Sequence, residues 1–150
     1  MKQRYFKKEF ENLTVTYFLP ILSINSKLLN ALICELLWIY LPFGDLSPQT
    51  VSSLMELIYA KITNENSLVV RYYAIMAFTS LLGHPSALES AKPHFSSILE
   101  VYVKTLNTFD HENLIGCLES IAKHFEGEIV NFAPDLIPHL LKMFCSLAKN

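Results

Sequence analysis

Residues able to do chemistry are few and scattered in this 150-residue sequence. The five histidines form no cluster; His111 and Glu112 are adjacent, but neighbours on a helix point apart. His139, next to Pro138, reads as a surface residue rather than a ligand. There is no glycine-rich phosphate loop, no GxSxG elbow and no His-Glu-x-x-His, and four glycines leave little loop in which to assemble a site. Cys34, Cys117 and Cys145 are odd in number, widely spaced and set in apolar helical patterns. They read as buried thiols rather than a disulfide framework or a zinc site. Neither an enzyme, a metal centre nor a cofactor is expected.

Charge and aromatic surface remain. Twelve basic and fourteen acidic side chains give a net charge of −2, unevenly placed. Residues 1–10 carry +3, whereas Thr105 to Asp135 sets Asp110, Glu112, Glu119, Glu126, Glu128 and Asp135 against Lys123 alone, a charge of −5. Glu126, Glu128 and Asp135 could steer a basic partner, and their sign is the opposite of what a nucleic acid requires. The alternative is a solubilising surface. Trp38, Phe43, Tyr59, Tyr72 and Phe109 fall in turns or off the main apolar stripes. They are candidates either for exposed apolar patches or for packing between helices.

The elements that hold these residues are legible in the apolar pattern. The chain is 51% hydrophobic and 17% charged, with a mean hydropathy of +0.30. Its longest uncharged stretch, Tyr72 to Leu88, holds Ser80, Gly83, His84 and Pro85 and falls short of the roughly 20 residues a spanning helix needs. No membrane insertion is expected, and the charged N-terminus lacks the apolar core of a secretory signal. Val51-Ser52-Ser53-Leu54-Met55-Glu56-Leu57-Ile58 aligns with Phe95-Ser96-Ser97-Ile98-Leu99-Glu100-Val101-Tyr102 at an offset of 44. The frame continues into Ile137-Pro138-His139-Leu140-Leu141-Lys142-Met143-Phe144 at an offset of 42.

An apolar helical run precedes each segment: Leu28 to Tyr40, Val70 to Leu81, and Leu114 to Phe125. Leu41-Pro42-Phe43-Gly44, Gly83-His84-Pro85 and Gly127 read as stops. Ser47-Pro48 reads as a capped helix start, and Ser86 with Glu89 as a capping box. Pro93, Pro134 and Pro138 predict second helices that bend or begin late. The expected fold is all-α, an α-α superhelix of the HEAT/armadillo kind with about three helix pairs and a leading half-repeat. Residues 1–25 form the second helix of an incomplete preceding repeat, and 26–64, 65–108 and 109–150 are the repeats. Neither end shows a polar cap, which predicts a segment of a longer solenoid, prone to stick when isolated.

Glu56, Glu100 and Lys142 hold equivalent places in that frame, with Ala60, Lys104 and Ser146 one turn on. They lie opposite the apolar stripe of the second helices, which generally line the concave face of HEAT solenoids. Together with His139 they read as a recognition ladder for a partner, or as a solvated helix face.

Ser67-Leu68-Val69-Val70-Arg71-Tyr72-Tyr73-Ala74 resembles a HEAT first helix. Tyr17 to Leu147 is similar to the middle of an importin-β-type nuclear transport receptor, nearest the large importins that carry ribosomal proteins and histones. Phe18-Leu19-Pro20, the helix with Ala31 and Cys34, Asn113-Leu114 with Ile121, and Phe132-Ala133-Pro134-Asp135-Leu136 carry the similarity. Asn30 and Leu32 stand where those importins have arginines. The resemblance implies a carrier that shuttles between cytoplasm and nucleus, with a basic cargo protein, Ran-GTP and phenylalanine-glycine nucleoporins as partners. A HEAT scaffold or regulatory subunit of another kind is the alternative.

Overall fold

Pro20 sits in a rod that runs from Lys2 to Leu22 and survives the missing amide by widening. Helix α1 (Lys2–Leu13) passes into a π turn over Thr14–Phe18, where the Leu19 N–H reaches back to the Thr14 carbonyl, and then into α2 (Leu19–Leu22). A proline strands the carbonyl four residues before it, and a π turn is a common way to absorb that mismatch. The computed structural model describes residues 2–65, 67–109 and 111–148, with the side chains of residues 2–4, 139, 143, 146 and 147 left out of that description. Asp110 and the side chain of His139, both named above, therefore lie outside the described residues.

Three first helices follow, each capped at its start: α3 (Lys27–Tyr40), α5 (Leu68–Leu81) and α8 (Glu112–His124). Ser26 Oγ accepts from the Leu29 N–H, Ser67 Oγ from the Val70 N–H, and His111 Nδ1 from the Asn113 N–H. These caps satisfy amides that the first helical turn leaves open. The second helices are α4 (Pro48–Thr63), the broken pair α6 (Pro85–Ala91) and α7 (Phe95–Thr108), and α10 (Ala133–Leu147). Ser47 caps α4 ahead of Pro48, as the dipeptide predicts.

Three local expectations are corrected. Ser86 and Glu89 make no capping box: α6 starts at Pro85 behind His84, the Ser86 carbonyl accepts from Ser90 Oγ, and Glu89 pairs with Lys92 at 2.8 Å. With proline at the first helical position, Ser86 is already inside the helix. Gly127 is not the stop of α8. The helix breaks at Phe125 (φ −130°, ψ 43°), and Gly127 lies within the short α9 (Glu126–Ile129). The reason is packing: the Phe125 ring is buried and stacks on Phe95 at 4.2 Å. Pro138 neither delays nor ends α10, whereas Pro93 does interrupt its helix, in a 3-10 turn over Lys92–His94.

Helices α3, α5 and α8 pack side by side in one layer, and α4, α6–α7 and α10 in a second, with α2 reaching α3 and α4. Several hydrogen bonds between units span 36 to 43 residues. Thus Ser80 Oγ donates to the Trp38 carbonyl, and the Cys117 thiol donates to Met76 Sδ. A bond that reaches one period along the chain means that corresponding parts of successive units touch, which defines stacked pairs.

Helix α5 is flanked by α3 and α8 and backed by α4, and its buried residues face several directions. Ala74 and Ala77 are fully buried and let neighbours approach, while Ile75, Phe78 and Leu81 each contribute roughly 1.5–3 kcal/mol of burial. The molecule is an all-α, HEAT-like solenoid of three helix pairs and a leading half-repeat. Among the described residues there is no strand, and no helix is long and apolar enough to cross a membrane.

Candidate functional site

Two surfaces carry the residues that the sequence singles out. On the second helices, Glu56 of α4, Glu100 and Lys104 of α7 and Lys142 of α10 are all exposed. Lys104 Nζ donates to Glu100 at 2.6 Å one turn away, and that bond, with the ammonium charge, holds the Glu100 carboxyl below its ordinary value. Exposed pairs of this kind are screened by solvent and leave both groups available to a partner. Glu126 and Glu128 are exposed on α9, and Asp135 is exposed in the first turn of α10. Lys92 is held above its ordinary value, first by its bond to Glu89 and more weakly by the nearby Glu128. The acidic segment thus has a basic residue from the preceding unit in its field.

The first-helix side is built differently. Trp38 of α3, Tyr72 of α5 and Phe109, between α7 and α8, line one cleft of about 380 Å³. Leu68, Val69, Tyr73, His111 and Asn113 complete it. Tyr72 is buried, which decides for packing over an exposed patch at this position: its ring forms the floor. It meets Phe109 edge-on at 5.2 Å and Tyr73 at 5.1 Å, near the spacing at which aromatic pairs attract. Asn113 Nδ2 donates to the Tyr72 hydroxyl at 3.0 Å, and His111, which caps α8, lies parallel to Phe109. The cap of one helix and the polar rim of the cleft are therefore the same residues.

The other two aromatics lie elsewhere. Tyr59 stacks on His94 at 4.2 Å, and Phe43 is exposed in the 3-10 turn after α3. A second depression beside the cleft, again touching Trp38, runs along Met76, Thr79, Gly116 and Cys117.

This arrangement can hold an aromatic or aliphatic side chain against rings while the hydroxyl and amide at its edge accept or donate to a peptide. It has no nucleophile. Burial pushes the Cys34 thiol up to about 12 and raises Cys117 as well, so neither is a ready thiolate. Cys145 is exposed, contrary to the expectation of three buried thiols, because it lies on the outward side of α10. Among the described residues no group of histidines, cysteines and carboxylates could hold a metal.

Sequence reasoning missed the polar clamp at the leading junction. Glu11 of α1 accepts from the Ser47 N–H and hydroxyl, each at 2.8 Å, and from the Thr50 hydroxyl. The signal that could have found it is a carboxylate in the leading helix 36 residues before a Ser-Pro helix start.

No family model matches this chain, and no solved structure matches it. Two curated proteins do. The probable importin-7 homolog of Dictyostelium discoideum is 24% identical over 143 residues, covering 95% of this chain and 13% of that protein. Importin-8 of Danio rerio is 18% identical over 151 aligned positions, covering 100% of this chain and 15% of that protein. The chain therefore spans about a seventh of the length of these relatives. This homology runs over nearly the whole chain, and together with the stacked helix pairs it supports an importin-β-family HEAT segment.

Proposed function

We propose that this chain is a binding segment of a nuclear transport receptor and performs no catalysis. The observation that carries this reading is the agreement of two importins with the chain across nearly its full length. In this role the protein shuttles between cytoplasm and nucleus. The second-helix surface, with Glu56, Glu100, Lys104, His139 and Lys142 and the acidic Glu126, Glu128 and Asp135, meets a basic cargo protein and Ran-GTP. The cleft between first helices, walled by Trp38 and Phe109 and floored by Tyr72, takes phenylalanine side chains of phenylalanine-glycine nucleoporins. Its size and lining suit a single aromatic side chain inserted between rings.

Pull-down of the protein with Ran tests the carrier reading: retention with GTP-loaded and not GDP-loaded Ran is expected, and equal retention would favour a scaffold of another kind. The cleft has its own reporter, since Trp38 is the sole tryptophan. A phenylalanine-glycine repeat peptide should change its emission, and Phe109→Ala should weaken that response. For the acidic segment, neutralising Glu126, Glu128 and Asp135 together should weaken a basic cargo more at low salt than at high.

A further inference from the structure

Gly116 stands in the middle of α8 for no reason that the chain itself supplies. No glycine among the described residues has a positive φ, so its backbone conformation asks for no special residue. A Cβ built there meets nothing within 4 Å, so internal packing asks for none either. A glycine inside a helix is nonetheless costly relative to alanine. What it does is leave the α8 backbone bare on one side of a depression of about 480 Å³, bordered by Trp38 and Met76.

That depression is continuous with the aromatic cleft, since Trp38 and Asn113 line both. Two of its polar side chains are already engaged: the Thr79 hydroxyl donates to the Met76 carbonyl, and the Cys117 thiol to Met76 Sδ. Glu112 differs. It is exposed, lines the depression, and makes no hydrogen bond or ion pair through its carboxylate among the described residues. Glu119, seven residues on and on the same face of α8, adds a second negative charge, and Lys123 lies a further turn away. Burial first, and then the charge of Glu35, raises the Tyr73 hydroxyl above its ordinary value, which places that α3 carboxylate beside the cleft. On α5 the Arg71 guanidinium is tied to the Glu65 carbonyl at 2.6 Å. Among the described residues no lysine or arginine lines either hollow. An aromatic cleft thus runs into a hollow whose one lining charge is negative and unpaired.

We propose that the depression is a cation subsite, taking the lysine or arginine side chain of a peptide whose neighbouring aromatic side chain occupies the cleft. The aliphatic stem crosses the bare backbone at Gly116 against Trp38, and the charged head reaches the Glu112 carboxylate. A cation against an indole and an ion pair at an open edge are each worth little, but both act on one side chain. In an extended peptide, residues two apart face the same side, so alternate positions reach both hollows. Together the hollows read an aromatic and a basic residue on one segment, which is more selective than either alone. This rests on the reading that the cleft takes an aromatic side chain, and adds which residue accompanies it.

Trp38 borders both hollows and reports on each. Three short capped glycine peptides serve as probes: one with a phenylalanine alone, one with lysines two places to either side of it, and one with norleucine in place of the lysines. Titration of the full chain, followed by Trp38 emission, should give about three- to tenfold tighter binding for the lysine peptide at low salt. The gain should shrink as salt rises. Glu112→Gln should remove the lysine preference and leave the affinity for the phenylalanine-only peptide unchanged. Gly116→Leu, which fills the hollow, should do the same while raising the melting temperature, because leucine is the better helix former. Equal affinity for the lysine and norleucine peptides, or a lysine preference that survives both variants, would overturn the proposal and leave the aromatic cleft intact. If neither the lysine peptide nor the phenylalanine-only peptide binds, the reading of the cleft falls and the proposal falls with it.

Discussion

Leu99 and Leu141 hold the same place in the repeat and meet different surroundings. The first is fully buried on a helix that packs on α10 and bonds to α8 through the Tyr102 hydroxyl and the Leu114 carbonyl, and the second is mostly exposed on α10. Nothing in the two helices explains this, since both are amphipathic and both carry the apolar stripe. The difference lies in what stands beside them. In a stacked array each unit is completed by its neighbour, so burial at a given place in the repeat measures a junction rather than a unit. The leading junction makes the same point with polar atoms, because Glu11 satisfies the start of α4 from a different unit.

The sharpest way to break that comparison is to truncate both leucines. Leu99→Ala should cost about 2–5 kcal/mol in urea unfolding, whereas Leu141→Ala should stay within about 0.5 kcal/mol of the parent. Equal losses would mean that the stripe on α10 is covered after all. Next in size is Gly44→Ala. A methyl group built there runs into the buried Phe10 ring, so the leading rod must shift, at a cost of about 1–3 kcal/mol by thermal melting.

Glu11→Gln should cost on the order of 1 kcal/mol at neutral pH. Partial burial works to raise the Glu11 carboxyl, but the Thr50 and Ser47 hydroxyls and the Ser47 amide together hold it below the ordinary 4.5. A carboxyl lowered in the folded state contributes stability that is complete above the ordinary value and is lost as pH falls through the lower folded one. The variant should therefore show a flatter loss of stability below pH 4.5 than the parent. The smallest effect is expected for Lys104→Ala. Both partners of its ion pair face solvent, so the melting midpoint should not move measurably, even if partner binding does.

The helix pairs and their period were readable because the apolar spacing and the Ser47-Pro48 start are local signals. The cleft was readable only in part. Trp38, Tyr72 and Phe109 could be named as aromatics off the main stripes, but they come from three successive stretches of chain, and only the stacking distance brings them together. Tyr72 was open between exposure and packing because Phe109 and Asn113, which help to bury it, come from the next unit. Gly127 misled because glycine is a common helix stop, whereas a buried aromatic stack fixes the break two residues earlier. The contrast between Leu99 and Leu141 left no trace in the residues themselves, being a property of position within the stack.

Among the described residues, these hydrogen bonds between units connect each pair to the next. Mechanically that is a spring of separate coils. A small rotation at one junction strains a few bonds there and leaves the rest slack, so curvature can be shared among junctions at low cost. A body of this kind can tighten or open around an object without unfolding any helix, and its stiffness is set by the weakest junction rather than by the average one.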